Sequence, residues 1–254
     1  MKNLIPLGLL IVFLVAAQFA TAQTVDEIIN KYIKARGGKE KLNAIHSIYM
    51  EGMRNMMGNN ILVKINKEQN KLSRIDFEMS GTNAFSVITP KEGWSYFPKF
   101  SDTAVQLPAN AVEGMQSDLD IAGPLVDHLA KGHKAELIGK EMADGVPCYK
   151  IKLTTANNKN ILYWIDTKDY FLIQSAQRGR SRFGHQKDGY APDAVITTIY
   201  KNYNAVDGIL FPFIIETKME DGGNKLDGAT VYSKIMLNQP VNTELYKHDL
   251  DSSD

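Results

Sequence analysis

Chemistry needs reactive side chains in the right pattern, and this chain of 254 residues has few: five histidines and a single cysteine. His128 and His133 stand closest, but they are five apart across Gly132 and do not share a helical face as zinc-ligating pairs do. His46, His185 and His248 are isolated and read as ordinary surface or boundary residues. Neither Ser181 nor Ser233 stands in a Gly-x-Ser-x-Gly setting, and no phosphate-binding glycine loop is present. Gly37-Gly38 follows a helical stretch, where a nucleotide loop would need a strand. The carboxylate pairs Asp118/Asp120 and Asp166/Asp169 have the chemistry for acid–base work. Their surroundings instead read as a helix surface and a hairpin turn. The basic run from Arg178 to Lys187 either holds an anionic head group or is a long solvated loop. No catalytic constellation, metal set or cofactor motif emerges, so the expectation is a protein that is not an enzyme.

Bulk properties narrow the class. With 29 basic and 29 acidic residues the formal charge is zero, which argues against a nucleic-acid partner. Lys2, the apolar run from Leu4 to Phe19, and Ala20-Thr21-Ala22 before Gln23 form a secretory signal peptide over residues 1–22. The alternative, an uncleaved anchor, fits the small-x-small ending less well. No cysteine stands at the cleavage site, so the exported chain is expected to be soluble in the periplasm and not lipid-anchored. Cys148 has no intrachain partner, and we expect it to be a small buried apolar residue. No linker or fixed-period repeat divides residues 23–254, which read as one domain.

The elements that must carry any site follow from periodicity. Val25, Ile28, Ile29, Tyr32 and Ile33 fall at helical spacing behind Thr24, a suitable N-cap, and Gly37-Gly38 ends the helix. A short turn over Lys39–Asn43 follows. From Ile48 the period changes to two: Ile48, Met50 and Gly52 share one face, as do Ile61, Val63 and Ile65, and Ser73, Ile75, Phe77 and Met79. Further strands are expected over 84–88, 93–97, 135–140, 148–154, 161–166, 171–178, 195–203, 211–219 and 230–237. Turn pairs such as Asn59-Asn60, Asp144-Gly145 and Asp207-Gly208 separate them. The result is an antiparallel sheet of about a dozen strands, which normally curls. Only 110–131 breaks the pattern. It suits helix split at Gly123-Pro124, placed to cover the sheet.

Several stretches together resemble the LolA-like superfamily of outer-membrane lipoprotein-sorting proteins. They are the opening helix with Gly37-Gly38, Leu42, Ile45, Ile48 and Gly52; Asp144-Gly145-Val146-Pro147-Cys148-Tyr149; Tyr163-Trp164-Ile165-Asp166; Val206-Asp207-Gly208-Ile209-Leu210-Phe211-Pro212; and Ile235 with Asn238 to Tyr246. The resemblance implies a mainly β, α+β fold: an open, strongly curved antiparallel half-barrel with helices covering its concave face. It further implies a hydrophobic cavity for the acyl chains of lipoproteins or free lipid, carried to or sorted at the outer membrane. Transient membrane contact and envelope protein partners belong to the same expectation. The alternative is a periplasmic sensor or interaction module that uses this fold to bind a protein. In the shuttles an arginine ties sheet to lid; Arg54 and Arg74 are the candidates here. The chain is longer than a typical shuttle, with its surplus at 178–193.

The cavity is expected between the concave sheet and residues 110–131. Its expected walls are Met50, Phe77, Trp94, Met115, Leu119, Leu125 and Trp164, which combine bulk with adaptability.

Overall fold

Thr24 caps the first helix, α1 (Val25–Ala35), through a reciprocal capping box. Its hydroxyl accepts from the Glu27 backbone amide, and the Glu27 carboxylate accepts from the Thr24 amide. Ile28, Ile29, Tyr32 and Ile33 form the buried stripe of this helix. Gly37 and Gly38 then adopt positive φ (124° and 97°). At Gly37 a Cβ would stand 2.6 Å from the Gly208 carbonyl oxygen, so this glycine lets the end of α1 seat against a distant hairpin turn. The Arg36 carbonyl accepts from the Leu210 amide at 2.9 Å and fixes that seat. A short helix, α2 (Lys39–Asn43), buries Leu42 and delivers the chain into the sheet. In the computed structural model the described residues are 23–56, 58–79, 81–181, 191–221 and 224–248; the segment read as a signal peptide lies outside them.

Thirteen strands form one antiparallel sheet. The first six are β1 (Ser47–Met56), β2 (Asn59–Glu68), β3 (Leu72–Met79), β4 (Thr82–Ile88), β5 (Gly93–Tyr96) and β6 (Val105–Gln106). The remaining seven are β7 (Lys134–Ala143), β8 (Val146–Thr154), β9 (Asn160–Asp166), β10 (Leu172–Ser181), β11 (Ala191–Val206), β12 (Ile209–Asp221) and β13 (Asn224–Leu237). Strands adjacent in sequence pair with one another except β6 and β7, and β1 also pairs with β13. That seam leaves β6 and β7 as the two edges. The fold is an open, curved antiparallel half-barrel.

One connection, residues 107–133, therefore has to run from edge to edge. It starts as α3 (Ala109–Gly114), continues as a 3-10 turn over Gln116–Leu119, and proceeds through turns to β7. Helix was expected to resume after Gly123-Pro124, and it does not. Positive φ at Gly123, Asp127 and Gly132 breaks the path into successive turns. Side chains satisfy its backbone instead: Gln69 accepts from the Ile121 amide at 2.7 Å and Lys131 donates to the Gly123 carbonyl. The 178–193 region also differs from a long loop, because β10 reaches Ser181 and β11 starts at Ala191. Residues 182–190, including His185, lie outside the described residues.

The largest core cluster lies on the concave face. It joins Ile28, Ile29, Tyr32 and Ile33 of α1 to Ile151, Tyr163, Ile165, Phe211 and Ile235 of the sheet, with Leu125 and Val126 of the connection. Each such side chain removed from water contributes about 1.5–3 kcal/mol before ordering costs. On the convex face Cys148 packs fully buried with Ala143 and Trp164, and burial pushes its thiol up to about 11.

The seam carries a packing constraint of its own. The β1–β13 register shifts between Glu51 and Gly52, and a Cβ at Gly52 would stand 2.3 Å from the Val231 carbonyl oxygen. That clash is with backbone and cannot be relieved by a rotamer. Gly52→Ala is expected to destabilise the fold by about 1–3 kcal/mol. Chemical denaturation checks this, as a lower midpoint at unchanged slope.

Candidate functional site

The site is built from the inward side chains of the seam strands and the connection that crosses them. Ladder register fixes the facing. Met50 stands opposite Ile65 on β2 and Ile235 on β13, while Val63 stands opposite Phe77. Met50, Ile65 and Ile235 all belong to the concave cluster. From the crossing segment, Leu125 joins that cluster, and Leu119 packs with Ile88, Leu107 and Val112, with Met115 against them. Five of the seven expected wall residues thus fall on the concave side or on the segment that covers it.

Trp94 and Trp164 do not. Gly93 and Ser95 take the concave positions of β5, which turns Trp94 to the convex face. There it packs with Leu72, Phe85, Val87 and Leu245 and stacks on His248 at 3.8 Å. On β9 the concave positions belong to Ile161, Tyr163 and Ile165, so Trp164 also points outward. Its indole N–H donates to Glu141 at 2.6 Å, and Lys150 lies over its ring. Strand alternation leaves no other choice once the neighbouring residues are fixed.

The crossing segment is held by a mixed set of contacts. Arg36, just after α1, donates to the Ala122 carbonyl at 3.1 Å and to the Tyr32 hydroxyl at 3.2 Å. This is the arginine that reaches the segment. Arg54 instead donates to Thr230, and Arg74 lies on the convex face, bound to Asp76 and the Lys247 carbonyl. Sequence offered a faint signal: Arg36 immediately precedes Gly37-Gly38, where the chain turns back onto the sheet. Asp127 adds an ion pair to Lys39 and accepts from Asn43 at 2.8 Å. These two partners hold its carboxyl below the ordinary aspartate range. Asp120 pairs with Lys131 at 2.6 Å, and His128 lies 3.3 Å from Asp26 of α1.

Three of the residues screened for chemistry make structural contacts. Asp166 accepts from the Lys168 and Asp169 amides, closing its own hairpin turn. His133 accepts from the Ala156 amide through Nδ1. Ser233 donates to the Glu51 carbonyl across the seam. Among the described residues no group of three His, Cys, Asp or Glu side chains is placed to hold a metal ion.

Space beneath the crossing segment is occupied by Ala122, Leu125 and Val126 packed against α1 and the sheet. A depression of about 420 Å³ opens beside it, between the Lys91-Glu92 turn and Gln106–Val112.

No family model and no curated protein sequence matches the chain. Solved structures do. A LolA superfamily protein from Nitrosomonas europaea superposes with a TM-score of 0.54 at 14% identity, covering 89% of this chain and 99% of that one. A DUF1329 family protein from Desulfovibrio piger gives 0.57 at 14% identity over 89% and 98%. A Vibrio parahaemolyticus domain assigned to outer membrane lipoprotein sorting gives 0.52 at 10% identity over 87% and 95%. The likeness extends over nearly the whole of each chain and defines a LolA-like fold.

Two measurements test the fastening. Arg36→Met is expected to speed amide hydrogen exchange over 120–126 several-fold, on the order of 1 kcal/mol for one charge-assisted bond, and to leave β8 unchanged. Asp127 makes the hold pH-dependent. Because its folded pKa is depressed, its contribution is complete above the unfolded value of about 3.9 and is lost as pH falls through the folded value. Wild type is therefore expected to melt above Asp127→Asn at about pH 6, with the difference vanishing once pH falls below the folded value.

Proposed function

We propose that this protein is a non-enzymatic periplasmic carrier, exported by a cleaved signal peptide over 1–22. Acyl chains of lipoproteins or free lipid are shielded on its concave face on the way to the outer membrane. The observation that carries this reading is the edge-to-edge connection. A single segment, tied to the sheet and to α1 by hydrogen bonds and ion pairs along its length, seats apolar side chains on an apolar concave wall that an acyl chain would occupy equally well. Displacing Leu119, Leu125 and Val126 exposes that wall; returning them expels the guest.

The energetics suit a carrier. An acyl chain gains about 0.8 kcal/mol per methylene on leaving water. A bilayer offers the same gain, so loading and unloading need no chemical step. Among the described residues no helix is long and apolar enough to cross a membrane. The fold match to a LolA superfamily protein and to a domain assigned to lipoprotein sorting supports the same cargo class.

A covalent lock tests the gate. The Asn70 amide donates to the Leu119 carbonyl at 2.9 Å, which brings the Cα atoms of Asn70 and Asp120 within disulfide reach. The pair Asn70→Cys with Asp120→Cys, oxidised, is expected to lose uptake of a fluorescent fatty acid, and reduction should restore it. Equal uptake by the locked and reduced forms would show that this segment is not the gate.

A further inference from the structure

The concave wall is not uniformly apolar. Arg54 lies on β1 on the same face as Met50, six residues and about 20 Å along the strand from Ile48. It is half-buried and donates to Thr230 Oγ1, directly across the seam, at 3.3 Å. Its guanidinium lies flat over Gly228: a Cβ there would meet Nη2 at 2.8 Å and Cζ at 3.1 Å. Two strands are thus shaped around one cation.

That cation has no counter-charge among the described residues. The inward positions around it are Ile61 and Val63 on β2, Ile215 and Thr217 on β12, and Thr230 and Tyr232 on β13. The carboxylates nearest to it along these strands, Glu51, Asp76, Glu78, Glu216 and Asp227, alternate to the convex face. Burial lowers the Arg54 pKa, and only the Tyr232 phenol offsets it. An arginine in such a place normally has a carboxylate or phosphate against its planar donors, because an uncompensated, partly desolvated charge is costly.

We propose that Arg54 is the anion-binding subsite of the concave wall, taking the carboxylate or phosphate of an amphiphile whose chain runs along Met50, Val63 and Ile65 towards the crossing segment. The inference rests on the carrier reading and adds the head-group class. The fork of Arg54 supplies paired N–H donors, and Thr230 holds it in plane. Gly228, with no side chain, lets the guanidinium pack against its strand.

Displacement of a neutral, apolar fluorescent probe tests this with matched ligands. Oleic acid is compared with oleyl alcohol, and lysophosphatidic acid with its unphosphorylated monoacylglycerol. Wild type is expected to prefer the anion in at least one pair, and the pair with the larger preference identifies carboxylate or phosphate. Arg54→Met is expected to weaken that anion about 10- to 100-fold while leaving its neutral counterpart within about twofold. Arg54→Lys, which keeps the charge without the fork, should fall between. The subsite is overturned if wild type binds acid and alcohol equally in both pairs, or if Arg54→Met leaves anion binding unchanged. It is overturned also if either variant weakens anion and neutral ligand alike, which marks a wall residue only. A wild type that takes up neither the probe nor any ligand defeats the carrier reading itself.

Discussion

Everything in this molecule depends on the pairing of β1 with β13. A meander of thirteen strands has its first and last members at opposite ends unless something joins them. Here they lie side by side, so the sheet grows outward in both directions from a central seam, and the free edges belong to strands from the middle of the sequence. The connection between those edges then has to span the sheet. The covering segment is thus a consequence of topology, and Gly52 is the small residue that lets the seam close.

The same topology sets how the segment is held. Apolar side chains give it most of its hold, and on the carrier reading proposed above those would be exchanged for a guest of similar polarity at little net cost. The polar fastenings are of a different kind. Arg36 reaches a backbone carbonyl, while the ion pair of Asp127 with Lys39 lies near the surface, where it contributes roughly 0–1 kcal/mol. Such contacts fix where the segment sits more than how strongly it is held.

Much of this is legible in the sequence alone. Strong local signals survived: Thr24 caps α1 as expected, Gly37-Gly38 ends it, and the alternation around Met50 and Phe77 carries into the strand faces. The two tryptophans failed because bulk says nothing about facing. Only Tyr163 and Gly93, fixed by packing, decide which way Trp164 and Trp94 turn. Residues 120–133 failed for a different reason. Their helical spacing of apolar residues was real, but Asp127 at positive φ and the bonds from Gln69 and Lys131 favoured turns. Arg36 was hidden because its acceptor, the Ala122 carbonyl, lies 86 residues away. Arg54 showed the opposite pattern: its position was legible, but its lack of a carboxylate needed the fold.

The seam also orders assembly in time. Every other strand pair joins sequence neighbours, so most of the sheet can form as local hairpins with short loops to close. The seam joins residues such as Glu51 and Ser233, which are 182 positions apart. Closing so long a loop is entropically expensive until the flanking hairpins have brought its ends together. The two wings of the sheet should therefore form first and independently, and their union should be the slow event. Until then the unpaired edges of β1 and β13 are exposed, and a newly made chain is most vulnerable to aggregation through those two strands.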